Sequence, residues 1–160
     1  MQNEIKAQVL VSLQFGLLFG LLLTALCSNN TTYFPATTFL MLFGWLVLLI
    51  AYFNLRPSLR ISPIPKLNAP LIARGIYKYI RHPMYFGLLS IGLSLTINSN
   101  NTIGWVIYFA LLVTLNFKAN FEDSLLRKLH PEASYYQIHT SKILPCLGGS
   151  CKTTCMERFN

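Results

Sequence analysis

Between Ala7 and Cys27 the chain carries no charged residue, and Gln8 and Gln14 are the only strongly polar side chains in the run. An apolar stretch of this length crosses a hydrocarbon core of about 30 Å as a helix, so a first membrane span is expected here. A cleavable signal peptide has a shorter apolar stretch and a small residue before the cut. Leu26 precedes Cys27 instead, so the segment is expected to stay in the mature chain. Thr37 to Leu55 is equally free of charge; Trp45 lies mid-run, and Tyr52 and Phe53 stand near the end, where an aromatic belt sits. Tyr85 to Ile97 and Ile103 to Phe117 are shorter, and are expected to form spans three and four with amphipathic turns extending their ends. Asn98-Ser99-Asn100-Asn101-Thr102 parts them, a polar turn that fits a helical hairpin and nothing larger.

Such runs make the bilayer the expected solvent, with membrane lipids as partners. Of 160 residues 53% are apolar and 11% charged, where soluble domains carry about a quarter charged, so an ordinary water-soluble enzyme is excluded. The net charge is +8, from 13 Lys and Arg against 5 Asp and Glu. The basic residues lie between apolar runs rather than along a polar groove, so no nucleic-acid partner is expected. Arg56, Arg60, Lys66, Arg74, Lys78 and Arg81 fall between spans two and three, and Lys118, Arg127, Lys128, Lys142, Lys152 and Arg158 follow span four. The connectors 28–36 and 98–102 are uncharged. Because positive loops resist translocation, the basic segments and both termini are expected to face the cytoplasm. Cys146, Cys151 and Cys155 crowd the end without a His or CxxC pair at zinc spacing, and Cys27 lies in an apolar run. Reduced, incidental thiols and no metal site are expected, with His130 and His139 as solvent-exposed bystanders.

The expected architecture is therefore an all-α membrane protein of about four transmembrane helices with a cytoplasmic amphipathic helical C-terminal segment. One embedded domain is expected over 1–145 and a flexible tail over 146–160. Pro63, Pro65 and Pro70 keep the loop from Pro57 to Pro83 out of continuous helix and favour extended backbone.

The stretch Gly75-Ile76-Tyr77-Lys78-Tyr79-Ile80-Arg81-His82-Pro83-Met84-Tyr85-Phe86-Gly87 is the richest in chemistry. Pro83 suits the first turn of a helix, which aims a helix N-terminus at the cytoplasmic face with Arg81 and His82 beside it. Free N–H groups and the positive dipole end favour an anion there, a carboxylate or a phosphate. Taken singly, Arg81 reads as a positive-inside anchor, His82 as a cap and Tyr85 as an interfacial aromatic. A second stretch, Lys118 to Arg127, continues span four, with Phe121, Leu125, Leu126 and Leu129 on one side at helical spacing. Asp123 has Arg127 four residues on, the favoured order for a surface ion pair. Glu122 has Lys118 one turn back, and this pair is expected to face Arg81 and His82, near enough for a carboxylate to meet a cationic ligand and an ammonium to meet an anionic one.

Gly75-x-Tyr77-x-Tyr79-x-Arg81-His82-Pro83-x-Tyr85-x-Gly87, then Glu122-Asp123-x-x-Leu126, Tyr136 and Ile143-Leu144-Pro145, resembles the isoprenylcysteine carboxyl methyltransferase and phospholipid methyltransferase group of integral-membrane enzymes. The resemblance runs from about Leu67 to Pro145. It implies S-adenosylmethionine as methyl donor, held at the cytosolic membrane surface, and an amphipathic small-molecule or prenylated acceptor. It further implies that Tyr77, Arg81, His82, Pro83, Met84, Tyr85 and Glu122 bind the donor, and that Lys118 and Glu122 serve the reaction. Family members place Arg where this chain has Lys118, which keeps the charge and loses the bidentate fork. Lys142 likewise stands where Arg is common, and Leu129-His130-Pro131 replaces Phe-Gly, so the chain resembles a divergent member of the group. The reaction implied is direct displacement at the sulfonium methyl by an oxygen or nitrogen of the acceptor, in which a carboxylate needs no base and an ammonium must first lose a proton.

His-x-x-Tyr before a membrane hairpin also resembles NADPH-dependent sterol and steroid reductases, although Pro83-Met84-Tyr85 and Gly87-Leu88 depart from their Asn and Gly-Asp. A non-catalytic membrane adaptor or small-molecule carrier is the third reading; it expects Tyr77, His82 and Glu122 not to converge and no cofactor cavity to exist.

Overall fold

The structure, a computed structural model, describes residues 2–28, 35–55, 75–129 and 133–144. These residues form five α-helices: α1 (Gln2–Cys27), α2 (Pro35–Leu55), α3 (Pro83–Ser99), α4 (Thr102–Leu129) and α5 (Ala133–His139). Among the described residues there is no sheet, and Ile80 and Ser141 make an isolated parallel bridge. The loop with Pro63, Pro65 and Pro70, His130, and the cysteines at 146, 151 and 155 lie outside the described residues.

Three helices, α1, α2 and α4, are long and apolar enough to cross a membrane. α3 is the exception to the expected four: it has 17 residues and is the most buried of the long helices, with α1, α2 and α4 packed around it. The stretch from Lys118 continues span four as expected: α4 runs unbroken for 28 residues to Leu129, and the amphipathic segment is its last turns.

Local chemistry explains the boundaries. Pro35 and Pro83 open their helices, where a missing N–H costs nothing. α3 stops at Asn100, whose left-handed backbone (φ 43°) lets its N–H reach the Ile97 carbonyl. Asn101 Oδ1 then accepts from the Ile103 N–H at 3.0 Å, capping α4. Two residues therefore close one helix and open the next.

Leu21, Tyr85, Leu89, Tyr108, Leu111, Leu115 and Ala119 form the core among α1, α3 and α4. α2 packs on α3 by bare backbone: a Cβ on Gly87 would lie 2.9 Å from the Gly44 carbonyl oxygen, and one on Gly44 equally close to the Gly87 oxygen. Hydroxyl side chains inside the bundle are satisfied by neighbouring helices or by their own turn. Ser94 Oγ donates to the Thr37 carbonyl at 2.7 Å, Thr37 Oγ1 to Asn98 Oδ1 at 2.7 Å, and Thr96 Oγ1 to the Gly92 carbonyl at 2.8 Å. The outward faces are apolar, with Phe19, Phe39, Phe53, Val106 and Phe117 each at least 60% exposed, as a lipid-facing surface requires.

Candidate active site

The site is built where α3 begins and α4 ends. A 3-10 turn (Gly75–Lys78) leads in. Gly75 holds φ 59°, a left-handed conformation that favours glycine, and a Cβ there would press on the side chain of Asn54. Tyr77 is buried, and its carbonyl accepts from the Tyr136 hydroxyl of α5 at 2.6 Å. The segment after α5 then straps the approach to α3: Arg81 N–H donates to the Ser141 carbonyl at 2.8 Å and His82 N–H to that of Lys142 at 3.0 Å. Lys142 Nζ in turn donates to Asn120 Oδ1 at 2.7 Å and to Asn116 Oδ1, tying the strap to α4. Burial and the Arg81 charge pull the Lys142 ammonium below its ordinary value, against the pull of Asp123.

Held this way, Arg81 and His82 meet the acids of α4. Arg81 Nη1 pairs with Asp123 Oδ2 at 2.6 Å, and Arg81 Nε donates to the Thr140 carbonyl at 3.1 Å. His82 Nε2 lies 3.0 Å from Asp123 Oδ1, and His82 Nδ1 lies 3.4 Å from Glu122 Oε2. The other Glu122 oxygen, Oε1, accepts from the Tyr85 hydroxyl at 2.5 Å, while the rings of His82 and Tyr85 stack 5.1 Å apart and nearly parallel. Both carboxylates are thus committed through both oxygens. Burial lowers the affinity of His82 for a proton, but the hydrogen bonds and charges of Asp123 and Glu122 outweigh it, so its pKa is raised. Burial, and then the Glu122 charge, pushes the Tyr77 hydroxyl well above its ordinary value, which keeps it protonated.

Several sequence expectations change. Asp123 is not paired with Arg127: it is buried between Arg81 and His82, while Arg127 lines an open cleft of about 310 Å³ with Arg81, Ser134, Gln137 and Ile138. Spacing along α4 pointed to the nearer cation, and burial selected the farther one. Lys118 is buried and, against the expected pairing, makes no ion pair with Glu122. Its ammonium donates to Gln14 Oε1 of α1 at 2.7 Å and stands 5.2 Å from the centre of the Tyr85 ring. His82 does not act as a side-chain cap of α3, because both ring nitrogens turn to the acids. Pro83 is fully buried and Met84 packs against the core, so these two shape the turn. Gly87 serves the α2 contact. His139 is half-buried, with Nδ1 2.8 Å from the Tyr135 carbonyl.

Asp123, Gln14 and Tyr136 are the members that spacing passed over. Each carried a signal, Asp123 and Tyr136 as members of the quoted motif and Gln14 as a strongly polar residue in an otherwise apolar run. Among the described residues no group of three His, Cys, Asp or Glu side chains is placed to hold a metal ion. The adaptor reading expected Tyr77, His82 and Glu122 not to converge and no cofactor cavity to exist: His82 and Glu122 do meet, at 3.4 Å, whereas the cleft of about 310 Å³ is lined by none of the three.

A model of the isoprenylcysteine carboxyl methyltransferase family matches residues 36–128, from the start of α2 to the end of α4. No curated relative and no solved structure matches the chain. The match favours the methyltransferase resemblance over the reductase one, and it leaves α1 outside.

Proposed function

The chain belongs to the isoprenylcysteine carboxyl methyltransferase family, and from that premise we propose that it is an S-adenosylmethionine-dependent methyltransferase of the cytoplasmic membrane surface. Its acceptor is a lipid-like or prenylated molecule with one anionic group. The observation that carries this reading is the convergence of Arg81, His82 and Tyr85 with Glu122 and Asp123, with the Lys118 ammonium one turn nearer the apolar middle of α4.

The cluster fits the donor in kind. Glu122 and Asp123 suit its ammonium, Arg81 and His82 its carboxylate, and the rings of Tyr77 and Tyr85 suit positive charge. When bound, S-adenosylmethionine supplies a methyl group already activated by the sulfonium charge. The side chains satisfy one another beforehand, so ligand groups replace existing hydrogen bonds instead of meeting bare buried charges. Lys118 receives the anionic end of the acceptor, and a carboxylate held there needs no base. Orientation of two partners from different phases supplies up to about ten kcal/mol of the barrier. In this reading 1–145 is one membrane-embedded unit that crosses four times, α3 being the short inner span, and the basic flanks keep the cluster and both termini cytoplasmic.

Binding of labelled S-adenosylmethionine to detergent-purified protein tests the reading, with NADPH run alongside. Wild type is expected to bind the former and not the latter, and His82→Ala and Glu122→Gln to lose about tenfold or more, equivalent to about 1.4 kcal/mol each. Unchanged affinity in Glu122→Gln removes that residue from the site; wild type that binds NADPH alone overturns the reading.

A further inference from the structure

α1 lies outside the family-matched segment, yet it supplies the hydrogen-bond partner of Lys118. Gln14 and Lys118 are 6% and 5% exposed; Gln14 lies between Leu13 and Phe15 in an apolar run, and Lys118 between Phe117 and Ala119. An ammonium has three donors, and among the described residues this one makes a single hydrogen bond, to Gln14 Oε1, beside the Tyr85 ring. The carboxylate one turn along is spoken for, because Glu122 Oε1 takes the Tyr85 hydroxyl and Oε2 faces His82. What remains is a buried cation touched by a neutral amide and an aromatic ring, with donors to spare. Charges in apolar interiors are ordinarily paired, so the arrangement is short of one anion.

Gln14 is suited to share that anion. A lone ammonium is a point charge and lacks the planar fork that grips two oxygens. The Gln14 amide carries its own donor nitrogen on the same carbon as the oxygen now facing Lys118, and its terminal torsion is broad enough to exchange the two. We infer that Gln14 is a substrate-positioning residue that joins Lys118 in a two-donor receptor for the anionic group of the acceptor. An incoming carboxylate places one oxygen on Lys118 Nζ in exchange for Oε1, and the turned amide donates from Nε2 to the other. This rests on the methyltransferase reading and assigns α1 a part in choosing the acceptor.

Equilibrium binding of N-acetyl-S-farnesyl-cysteine and of its methyl ester to the detergent-purified chain tests it, with S-adenosylmethionine binding measured in the same preparations. Wild type is expected to prefer the acid by about tenfold or more, and Gln14→Leu to lose about five- to tenfold for the acid and less than about twofold for the ester. Gln14→Glu, which gives Lys118 a resident anion and keeps the helix contact, is expected to abolish the preference for the acid. In a Lys118→Arg background, Gln14→Leu is expected to cost less than about twofold, because the guanidinium brings its own fork. Equal losses for acid and ester in Gln14→Leu, no loss for either, or an undiminished loss in the Lys118→Arg background overturns the inference. Wild type that binds S-adenosylmethionine but does not distinguish acid from ester overturns it alone; wild type that binds no S-adenosylmethionine overturns the methyltransferase reading beneath it.

Discussion

His82 makes the cluster sensitive to pH in a direction that the geometry fixes. Protonated, the imidazole donates from Nε2 to Asp123 and from Nδ1 to Glu122; neutral, it serves one of them. Its folded value is raised above the ordinary 6.5 because the two carboxylates outweigh burial. The stabilisation is therefore complete below the unfolded value and is lost as pH rises through the folded one. Thermal unfolding of wild type against His82→Gln is expected to show the widest gap in melting temperature below pH 6.5 and a narrowing gap above it. A gap that widens with pH would contradict the proposed pairing. At this scale the sequence was partly legible. Tyr85, His82 and Glu122 sat in a motif whose spacing placed them at one mouth. The partners of Asp123 and Lys118 were not legible, because a four-residue interval ranks neighbours on the same helix and is blind to a cation arriving from another element. Arg81 reaches Asp123 across 42 positions and Gln14 reaches Lys118 across 104.

Among elements, the contact of α2 with α3 sets the position of the site, because α3 carries His82 and Tyr85 at its open end. That contact depends on two glycines facing each other. A methyl group at position 87 would stand 2.9 Å from the Gly44 oxygen and 2.9 Å from Leu48 Cγ, and backbone cannot yield as a flexible side-chain tip can. Gly87→Ala is expected to force the helices apart and to cost about 1–3 kcal/mol, read from unfolding of the detergent-solubilised protein. Stability equal to wild type would show that the helices are free to part there. Helix existence was legible from apolar runs and from Pro35, Pro83 and the Asn100-Asn101 pair, whereas the ends and roles of helices were less so. Nothing after Phe117 stops a helix, since Lys118, Ala119 and the residues to Leu129 are compatible with continuing it, and a switch from apolar to amphipathic composition does not break backbone hydrogen bonds. The shortness of α3 has a related cause: small and hydroxyl residues such as Ser90, Gly92 and Ser94 suit a helix enclosed by others, a property of packing that hydropathy does not register.

Over the whole molecule, three long helices turn apolar faces outward and enclose a fourth, while polar chemistry gathers at one end under the strap of residues 139–142. In the proposed function this arrangement would give a water-soluble donor and a lipid-like acceptor different approaches, the first past Arg81 and the strap, the second along α1 and α4 to Lys118. α1, outside the family-matched segment, reaches this end of α4 through the hydrogen bond from Lys118 to Gln14. The account stands on the opening of α3 and the exit of α4 acting as one binding unit, and a double-mutant cycle on S-adenosylmethionine affinity with His82→Ala, Glu122→Gln and the combined variant tests this most directly. The two losses are expected to be non-additive by about 0.5–3 kcal/mol, the double variant binding better than the product of the single losses requires. Losses that simply multiply would mean that imidazole and carboxylate serve the donor independently or not at all, and would contradict the account.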